Sequence, residues 1–470
     1  MIQPVILWTD ALVFVLVGVV LAFALYARRH EHLRAPWREV VRSRMAVASL
    51  VVLATYTSVG LLDSLHFRKA LPEVAGQQTV QYSGDVLSVL DLLLGPLRTH
   101  DEKTYSAPFA SHLYTKEFIV DDAGGQTRDF PRLEYGGAEL ADPQMQSWPD
   151  IRSHMLVAMG QALLVMLALY VLLGWLLARR WQRSLYRVLG DVARGRGDIP
   201  WRTALAVLAC VVLIITLIAN LSANWHMLGT DKVGQDVLYQ SIKSIRTGLV
   251  IGTLTTLVML PFAVFLGMLA GFLRGWVDDV IQYLYTTLNS IPGVLLIAAA
   301  VLMMQVYMSN HPELFETMAE RADMRLLFLC MILGITSWTG LCRLLRGETL
   351  KLRELDYVQA AGAFGVSRFR IMLRHLLPNL MHLVMIAVVL DFSGLVLAEA
   401  VLSYVGVGVD PTTMSWGNMI NRARLEMARE PMVWWSLLAA FVFMFTLVLA
   451  ANLFSDAVRD AFDPRLRAQR

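Results

Sequence analysis

The sequence predicts an all-α polytopic membrane protein of about nine transmembrane helices, three at the N-terminus followed by a six-helix core, with a small β-containing extracytoplasmic insertion. Three observations predict it. Hydrophobic residues make up 56% of the 470 and mean hydropathy is +0.53, too apolar for an ordinary soluble domain and too long for one span. Apolar runs recur along the chain, each near the roughly 20 residues that a bilayer crossing needs. Arginines gather at alternate connections, the bias expected of cytoplasmic loops. A net charge of +3 leaves no electrostatic footprint for a nucleic-acid partner. Cys210, Cys330 and Cys342 lie in or beside apolar runs, share no metal-ligand or redox spacing, and read as packed thiols.

Val5 to Tyr26 is long enough to be the first span. A signal peptide would carry its basic residues before the apolar stretch; here Arg28, Arg29, Arg34, Arg38, Arg42 and Arg44 follow it, so the N-terminus is expected outside and this loop inside. Met45 to Leu62 crosses back, making residues 1–62 a two-span unit with a cytoplasmic basic loop. Residues 63–152 are polar and richer in acids than bases, as an extracytoplasmic domain would be. Within it, Phe118 to Arg128 reads as strands around Gly124 and Gly125, Leu133 to Gly137 offers another turn, and a helix is expected near Val86 to Leu94. His66, His100 and His112 with Asp63, Asp101 and Glu102 show no ligand spacing and read as scattered polar side chains, so no metal is expected there. A docking surface for an accessory protein is the better functional reading of the insertion. Residues 153–202 hold the third span, Met155 to Leu177, and a basic linker with Arg179, Arg180, Arg183, Arg187, Arg194, Arg196 and Arg202.

Residues 203–470 hold six apolar runs, at about 203–221, 248–273, 291–307, 325–342, 380–405 and 432–454. An odd total puts the C-terminus inside, where Arg465, Arg467 and Arg470 lie. Two places depart from the charge bias: the expected outer loop after Gly406 holds Arg422, Arg424 and Arg429, and the expected inner turn near Gly275 holds Asp278 and Asp279. Pro261, Gly248, Gly252, Gly267, Gly271 and Gly394 suit spans that pack closely or bend. Trp276, Trp338, Trp434 and Trp435 suit membrane interfaces.

Between the fourth and fifth of these runs, residues 346–378 form a polar island. Tyr357, Ala360, Ala361 and Phe364 recur at helical spacing, Gly365 suits a left-handed stop, and Ser367 suits the cap of a second short helix with an apolar stripe of Phe369, Leu373 and Leu376. Arg368, Arg370 and Arg374 fall on its wet side, and Pro378 marks the return towards the membrane. The shape is one for docking rather than catalysis.

These residues carry a resemblance. The segment resembles the signature loop of the integral membrane permease subunits of ABC importers: Glu-Ala-Ala, three residues, Gly, nine residues, Ile, one residue, Leu-Pro. Gln359, Ala360, Ala361, Gly365, His375, Leu377 and Pro378 occupy those places, with Gln359 for the acid and His375 for the isoleucine. The His-x-Leu-Pro-Asn form is that of the dipeptide, oligopeptide and nickel branch. Further matches are Leu228 to Asp236, Gly275-Trp-Val-Asp278, Trp338-Thr-Gly340, Arg343 to Glu348, Glu399 to Gly408, Trp416-Gly417 and Arg459 to Arg465. The resemblance covers roughly the last 270 residues and none of the first 200.

The resemblance implies a binding-protein-dependent transporter in the bacterial inner membrane. This chain would form the pathway for di- or oligopeptides, beside a homologous second permease subunit, two ATPase subunits, an extracytoplasmic solute-binding protein and membrane lipid. It further implies that Tyr357, Gln359, Ala360, Ala361, Gly365, Arg368, His375 and Pro378 belong to an ATPase-coupling loop. ATP and Mg would sit in the partner subunits, because the chain has no Gly-x-x-x-x-Gly-Lys-Ser/Thr cradle; no cofactor, metal or catalytic residue is expected here. His-Glu-x-x-His and Gly-x-Ser-x-Gly are also missing. Asp391 and Glu399 lie in an apolar run, where a charge costs on the order of 3 kcal/mol, so each should face protein or water; one reading makes them part of a translocation pathway or gate, the other leaves each neutral or paired within the bundle. The alternative function is a membrane-anchored sensor or assembly factor that binds a partner through the insertion. Since the resemblance begins after residue 200, replacing residues 72–148 by a flexible linker is expected to leave some coupled uptake, weak if the insertion docks the binding protein.

Overall fold

The computed structural model describes residues 2–29, 31–71, 81–120, 126–315 and 317–462. The expected turn at Gly124 and Gly125 and the tail with Asp463, Pro464, Arg465, Arg467 and Arg470 lie outside the described residues. In chain order the elements are β1 (Ile2–Val5), α1 (Trp8–Arg29), α2 (Glu31–Arg42), α3 (Arg44–Asp63), β2 (His66–Lys69), β3 (Leu87–Ser88), α4 (Val89–Leu93), α5 (Gly95–Thr99), β4 (Glu117–Val120) and β5 (Gln126–Asp129). There follow α6 (Pro143–Trp181), α7 (Leu185–Arg194), α8 (Trp201–Leu221), α9 (Val237–Leu273), α10 (Trp276–Ser290), α11 (Gly293–Asn310), α12 (Met318–Ser337), α13 (Thr339–Leu352) and α14 (Asp356–Ala363). The last are α15 (Arg368–Ile371), α16 (Leu377–Tyr404), α17 (Trp416–Glu426) and α18 (Trp435–Phe462).

Among the described residues nine helical stretches are long and apolar enough to cross a membrane, three before residue 200 and six after it. Hydrocarbon offers no partner to a backbone N–H or C=O, so each long apolar run closes its own hydrogen bonds as a helix. The structure therefore carries the all-α polytopic fold, and among the described residues the short strands lie at the N-terminus and in the 63–152 segment. Two details differ from the apolar pattern. The helix expected to start near 248 starts at Val237, because the hydroxyls of Ser241 and Ser244 turn back onto Val237 and Gln240 carbonyls within the helix. Where a turn was expected after Gly275 there is α10, whose 15 residues extend about 22 Å at 1.5 Å each, short of a full crossing. Its first turn holds Asp278 and Asp279, where the positive end of the helix dipole favours acids.

The chain divides into two compact units: residues 1–5, 37–246 and 414–453 in one, residues 6–36, 247–413 and 454–470 in the other. The first unit contains the insertion. β1 pairs antiparallel with β2, Ile2 opposite Lys69, and β2 pairs with β3, so the extreme N-terminus is stitched to the start of the insertion. Nothing in the apolar run from Val5 marks that strand. β4 and β5 form the hairpin expected near Phe118, and α4 begins with Ser88 and Asp91 in a reciprocal capping box.

Charge ties the insertion to α9. Lys243 Nζ lies 2.5 Å from Asp63 and 2.9 Å from Asp91, and the Tyr239 hydroxyl donates to Asp91 at 2.8 Å. The loop before α9 is held as closely. Phe109 N–H donates to the His226 carbonyl at 2.9 Å, Glu102 N–H to Gly234 at 3.0 Å and Thr230 N–H to Ser106 at 3.1 Å. Gly234 has φ +81°, and a Cβ there would collide with the Glu102 carbonyl, so the loop needs glycine on both counts. The Tyr105 hydroxyl donates to Glu426 at 3.0 Å, and the Trp435 indole N–H donates to the Thr230 carbonyl at 3.0 Å.

The insertion is thus folded together with the 222–237 loop, not appended to it. Removing residues 72–148 would strip partners from His226, Thr230, Gly234 and Glu426, and unpaired buried polar groups cost about 1–3 kcal/mol each. His66, His100 and His112 do not converge, and no cluster suited to a metal occurs among the described residues. Two further expectations change. Trp338 and Trp435 are buried, while Trp276 and Trp434 are exposed. Cys330 and Cys342 are packed thiols as expected, but Cys210 is exposed on α8.

At the centre of the junction the Glu102 carboxylate accepts from the N–H groups of Glu134, Tyr135 and Gly136 at 2.9, 2.9 and 3.2 Å and lies 3.4 Å from His226 Nε2, whose Nδ1 is 2.8 Å from Asp236. Burial opposes both charges, but these contacts outweigh it. They raise the imidazole from 6.5 to about 9 and lower the Glu102 carboxyl from 4.5 to about 2. His226 therefore contributes stability that is complete below pH 6.5 and lost as pH rises through 9; Glu102 contributes stability complete above pH 4.5 and lost towards pH 2. The thermal midpoint of the purified protein should fall between pH 6.5 and 9, and His226→Gln should start lower and stay flat across that window. An equal fall in both proteins would remove His226 as the cause.

Candidate functional site: the 346–378 loop and the carboxylates of α16

The second unit holds the polar island. α14 starts at Asp356, whose acid suits the helix N-terminus, and ends through a complete Schellman turn. Gly365 N–H donates to Gly362 at 3.0 Å and Val366 N–H to Ala361 at 3.1 Å, with Gly365 at φ +79°. Val366 and Ala361 pack on the same apolar cluster, the contact that accompanies this motif. A Cβ on Gly365 would meet nothing within 4 Å, so its requirement in this chain is conformational rather than steric.

Beyond the elbow the chain does not form a separate short helix. Ser367 has N-cap geometry without a side-chain cap bond, α15 runs into a π-helical turn at Met372–Leu376, and this continues as α16 with Pro378 in its first turn. Proline cannot donate to the carbonyl four residues back and its ring crowds that carbonyl, so widening the preceding turn lets the helix continue through Pro378.

The apolar stripe also differs from the expected one. Ile371, Met372 and Leu376 are buried with Val358 against Leu341, Cys342 and Leu345, whereas Tyr357, Phe364, Phe369 and Leu373 are exposed, Phe364 at 87%. Helical spacing counted from Phe369 placed Leu376 on the buried face as observed but put Phe369 and Leu373 there too, because Ile371 and Met372 are adjacent and the π turn shifts the period after them. Arg368, Arg370 and Arg374 are exposed as expected. The Asn379 amide donates to the Tyr357 hydroxyl at 3.0 Å and to the His375 carbonyl at 2.7 Å, and the Tyr357 and His375 rings lie 6.2 Å apart. Gln359 donates to the Glu354 carbonyl at 3.3 Å; Ala360 is exposed beside it.

The loop stands on a charged strut. Arg346 on α13 donates from Nε and Nη2 to the two oxygens of Asp278 on α10, at 2.6 and 2.7 Å. These hydrogen bonds hold the Asp278 carboxyl below its usual range and explain an acid at a connection expected to be basic. Gly267 and Gly271 let α9 approach the same helix: a Cβ on Gly271 would sit 2.6 Å from Thr349. Sequence reasoning had Asp278 and Arg346 in separate motifs, and only the fold joins them.

Asp391 and Glu399 are not brought together. Eight residues separate them on α16, about 12 Å along the axis. Asp391 is half-buried and has no polar partner among the described residues, while Glu399 is 3% exposed and accepts a 2.7 Å hydrogen bond from Ser403.

Residues 263–468 match the family described as "Binding-protein-dependent transport system inner membrane component". The chain is 32% identical over 249 residues to the glutathione transport system permease protein GsiD of Pectobacterium atrosepticum, covering 53% of this chain and 74% of the relative. It is 30% identical over 245 residues to the oligopeptide transport system permease protein OppC of Mycobacterium tuberculosis, 52% of this chain and 78% of the relative. With the dipeptide transport system permease protein DppC of Bacillus subtilis it shares 28% over 242 residues, 52% and 69%. The chain belongs to the binding-protein-dependent inner membrane component family. It is a multi-pass permease subunit of an ABC importer, and ATP hydrolysis in such systems resides in separate subunits. This decides against the sensor or assembly factor.

The Arg346–Asp278 strut is testable on the permease itself. Arg346→Met leaves a carboxylate without its guanidinium and should cost about 2–3 kcal/mol, read as a lower thermal midpoint in detergent. Arg346→Met combined with Asp278→Leu removes both charges and should recover most of that loss. Equal midpoints for the single variant and the parent would show that the strut is not a support.

Proposed function

We propose that this permease subunit imports peptides, and that the elbow from Asp356 to Leu376 is where an ATPase subunit grips it. The observation that carries the reading is the set of exposed apolar side chains, Tyr357, Phe364, Phe369 and Leu373, around an elbow whose other face is packed into the core cluster. An exposed apolar group on a rigid support is a protein-docking feature. Ala360, Ala361 and Gly365 keep the contact low, Arg368 rims it, and His375, Asn379 and Pro378 hold the return. Gln359 braces the helix start through Glu354. ATP and Mg act in the two ATPase partners, and closure there pushes the elbow and, through α16, the transport pathway. A homologous second permease completes that pathway, and an extracytoplasmic solute-binding protein delivers the cargo.

Peptide cargo is supported by the names of the relatives, which are glutathione, oligopeptide and dipeptide permeases. On α16, Asp391 lines the pathway, in keeping with its partial exposure and its lack of a polar partner. Glu399, buried and bonded to Ser403, serves the packing of the gate. The domain reading is retained as two spans in 1–62, an extracytoplasmic segment 63–152, a third span with basic linker 153–202 and a permease core 203–470. The outward N-terminus is supported by the pairing of β1 with β2, which puts it on the side of the insertion. On the opposite side, Arg38 and Arg42 both lie 3.1 Å from Asp198, bringing the two basic loops together.

Gly365→Glu should abolish substrate-stimulated ATP hydrolysis and weaken pull-down of the ATPases while the protein still inserts, since it adds bulk at the contact and about 1–2 kcal/mol of backbone cost. Gly365→Asn, which tolerates the left-handed conformation, and Arg368→Ala, at an exposed charge, should be much milder. Parent-level assembly and hydrolysis in Gly365→Glu would refute the docking role. For topology, single cysteines at Glu139 and Ala193, in a background without native thiols, should react oppositely with an impermeant reagent applied outside. Labelling at 193 and not at 139 would reverse the arrangement.

A further inference from the structure

We infer that a cavity in the first unit, walled by α3, α8, α9 and α18, is a binding site for one lipid acyl chain. It has a volume of about 530 Å³ and is half-open. All four walls are candidate membrane spans. Its opening therefore meets hydrocarbon rather than water.

The lining chemistry selects the occupant. Tyr56 donates its hydroxyl proton to the Phe443 carbonyl at 3.0 Å, Thr55 to Val51 at 2.9 Å and Thr446 to Val442 at 2.7 Å, so the hydroxyls on the walls are already spent. The Cys210 thiol, a weak donor, is the other side-chain polar group facing the space. Such walls offer nothing to a headgroup, a peptide backbone or a charged substrate. Apolar cavities stay dry, and a void next to fluid hydrocarbon forfeits packing on every wall. The shape points the same way. Lining residues on α8 run from Val207 to Ile218, eleven residues apart, or about 16 Å at 1.5 Å each. That is half of a roughly 30 Å hydrocarbon layer, and it suits a single extended chain.

The end of the cavity touches Met227 and Leu228, directly after His226 in the loop that the insertion clasps. An acyl chain seated there packs the underside of that loop. The inference is independent of the cargo and of the docking elbow, neither of which contributes a wall.

Cys210 provides a native reporter, with Cys330 and Cys342 buried as internal controls for folding. The intact protein, purified with its lipid, should retain lipid by native mass spectrometry, and Ile214→Trp, which fills the space, should lose one bound lipid per chain. In the parent protein, N-ethylmaleimide should alkylate Cys210 faster after delipidation and about tenfold more slowly once palmitate occupies nine sites in ten, with butyrate giving no protection. Cys330 and Cys342 should stay unreactive throughout. Equal Cys210 rates with and without palmitate would overturn the site, and this holds even if Ile214→Trp fails to fold. An unchanged lipid count in a folded Ile214→Trp would overturn it too.

Discussion

A backbone polar group carried into hydrocarbon must find its partner within the protein, and much of this structure follows from that constraint. Helices meet it for the backbone. Polar side chains pair across helices: Lys243 with Asp63 and Asp91, Arg346 with Asp278, and Thr9 of α1 with Asp323 of α12 through both its N–H and its hydroxyl. Such pairs are costly to break, because the member left behind has no water to turn to. They position the parts of the molecule that apolar packing alone leaves free to slide, since hydrocarbon tails compete with side chains for apolar contact.

The same economy shapes the elbow. A Schellman turn satisfies the last carbonyls of α14 without any outside partner, so the segment can project from its helix bundle and remain ordered. Its inner face is fixed by Val358, Ile371, Met372 and Leu376, and the π turn before Pro378 makes α15 and α16 one continuous helix. A push on Phe364 or Phe369 is thereby delivered to the base of a helix that carries Asp391 and Glu399. On the proposed docking role of the elbow, that continuity is the mechanical content of coupling in this subunit.

The sequence was legible where a pattern is local. Apolar runs gave the spans, and the left-handed stop at Gly365 could be read from the glycine after a helical period. What escaped it depends on long-range partners or a broken period. The polar first turns of α9 are accommodated because Ser241 and Ser244 bond back within the helix and Asp63 and Asp91 neutralise Lys243. Phe369 and Leu373 were misassigned to the buried stripe, while Leu376 was placed correctly, because a π turn has no signature in a 3.6-residue count. Glu102 looked like one of several scattered acids, and only its approach to His226 gives it a role. The insertion seemed separable because no family motif crosses it, yet it shares backbone hydrogen bonds with the Leu228 to Asp236 motif. Asp278 and Arg346 were each visible, but nothing local joins residues 68 positions apart.

The central claim is that the exposed apolar face of the elbow is the surface through which ATP hydrolysis acts on this subunit. The most direct measurement is photo-crosslinking from benzoylphenylalanine at Phe364 in native membranes, with the product identified by mass spectrometry. The account predicts a crosslink to an ATPase subunit whose yield changes on ATP addition, and none from the same probe at Tyr186 on α7. A crosslink from position 364 to lipid or to another face of the permease, with no ATPase product, would contradict it.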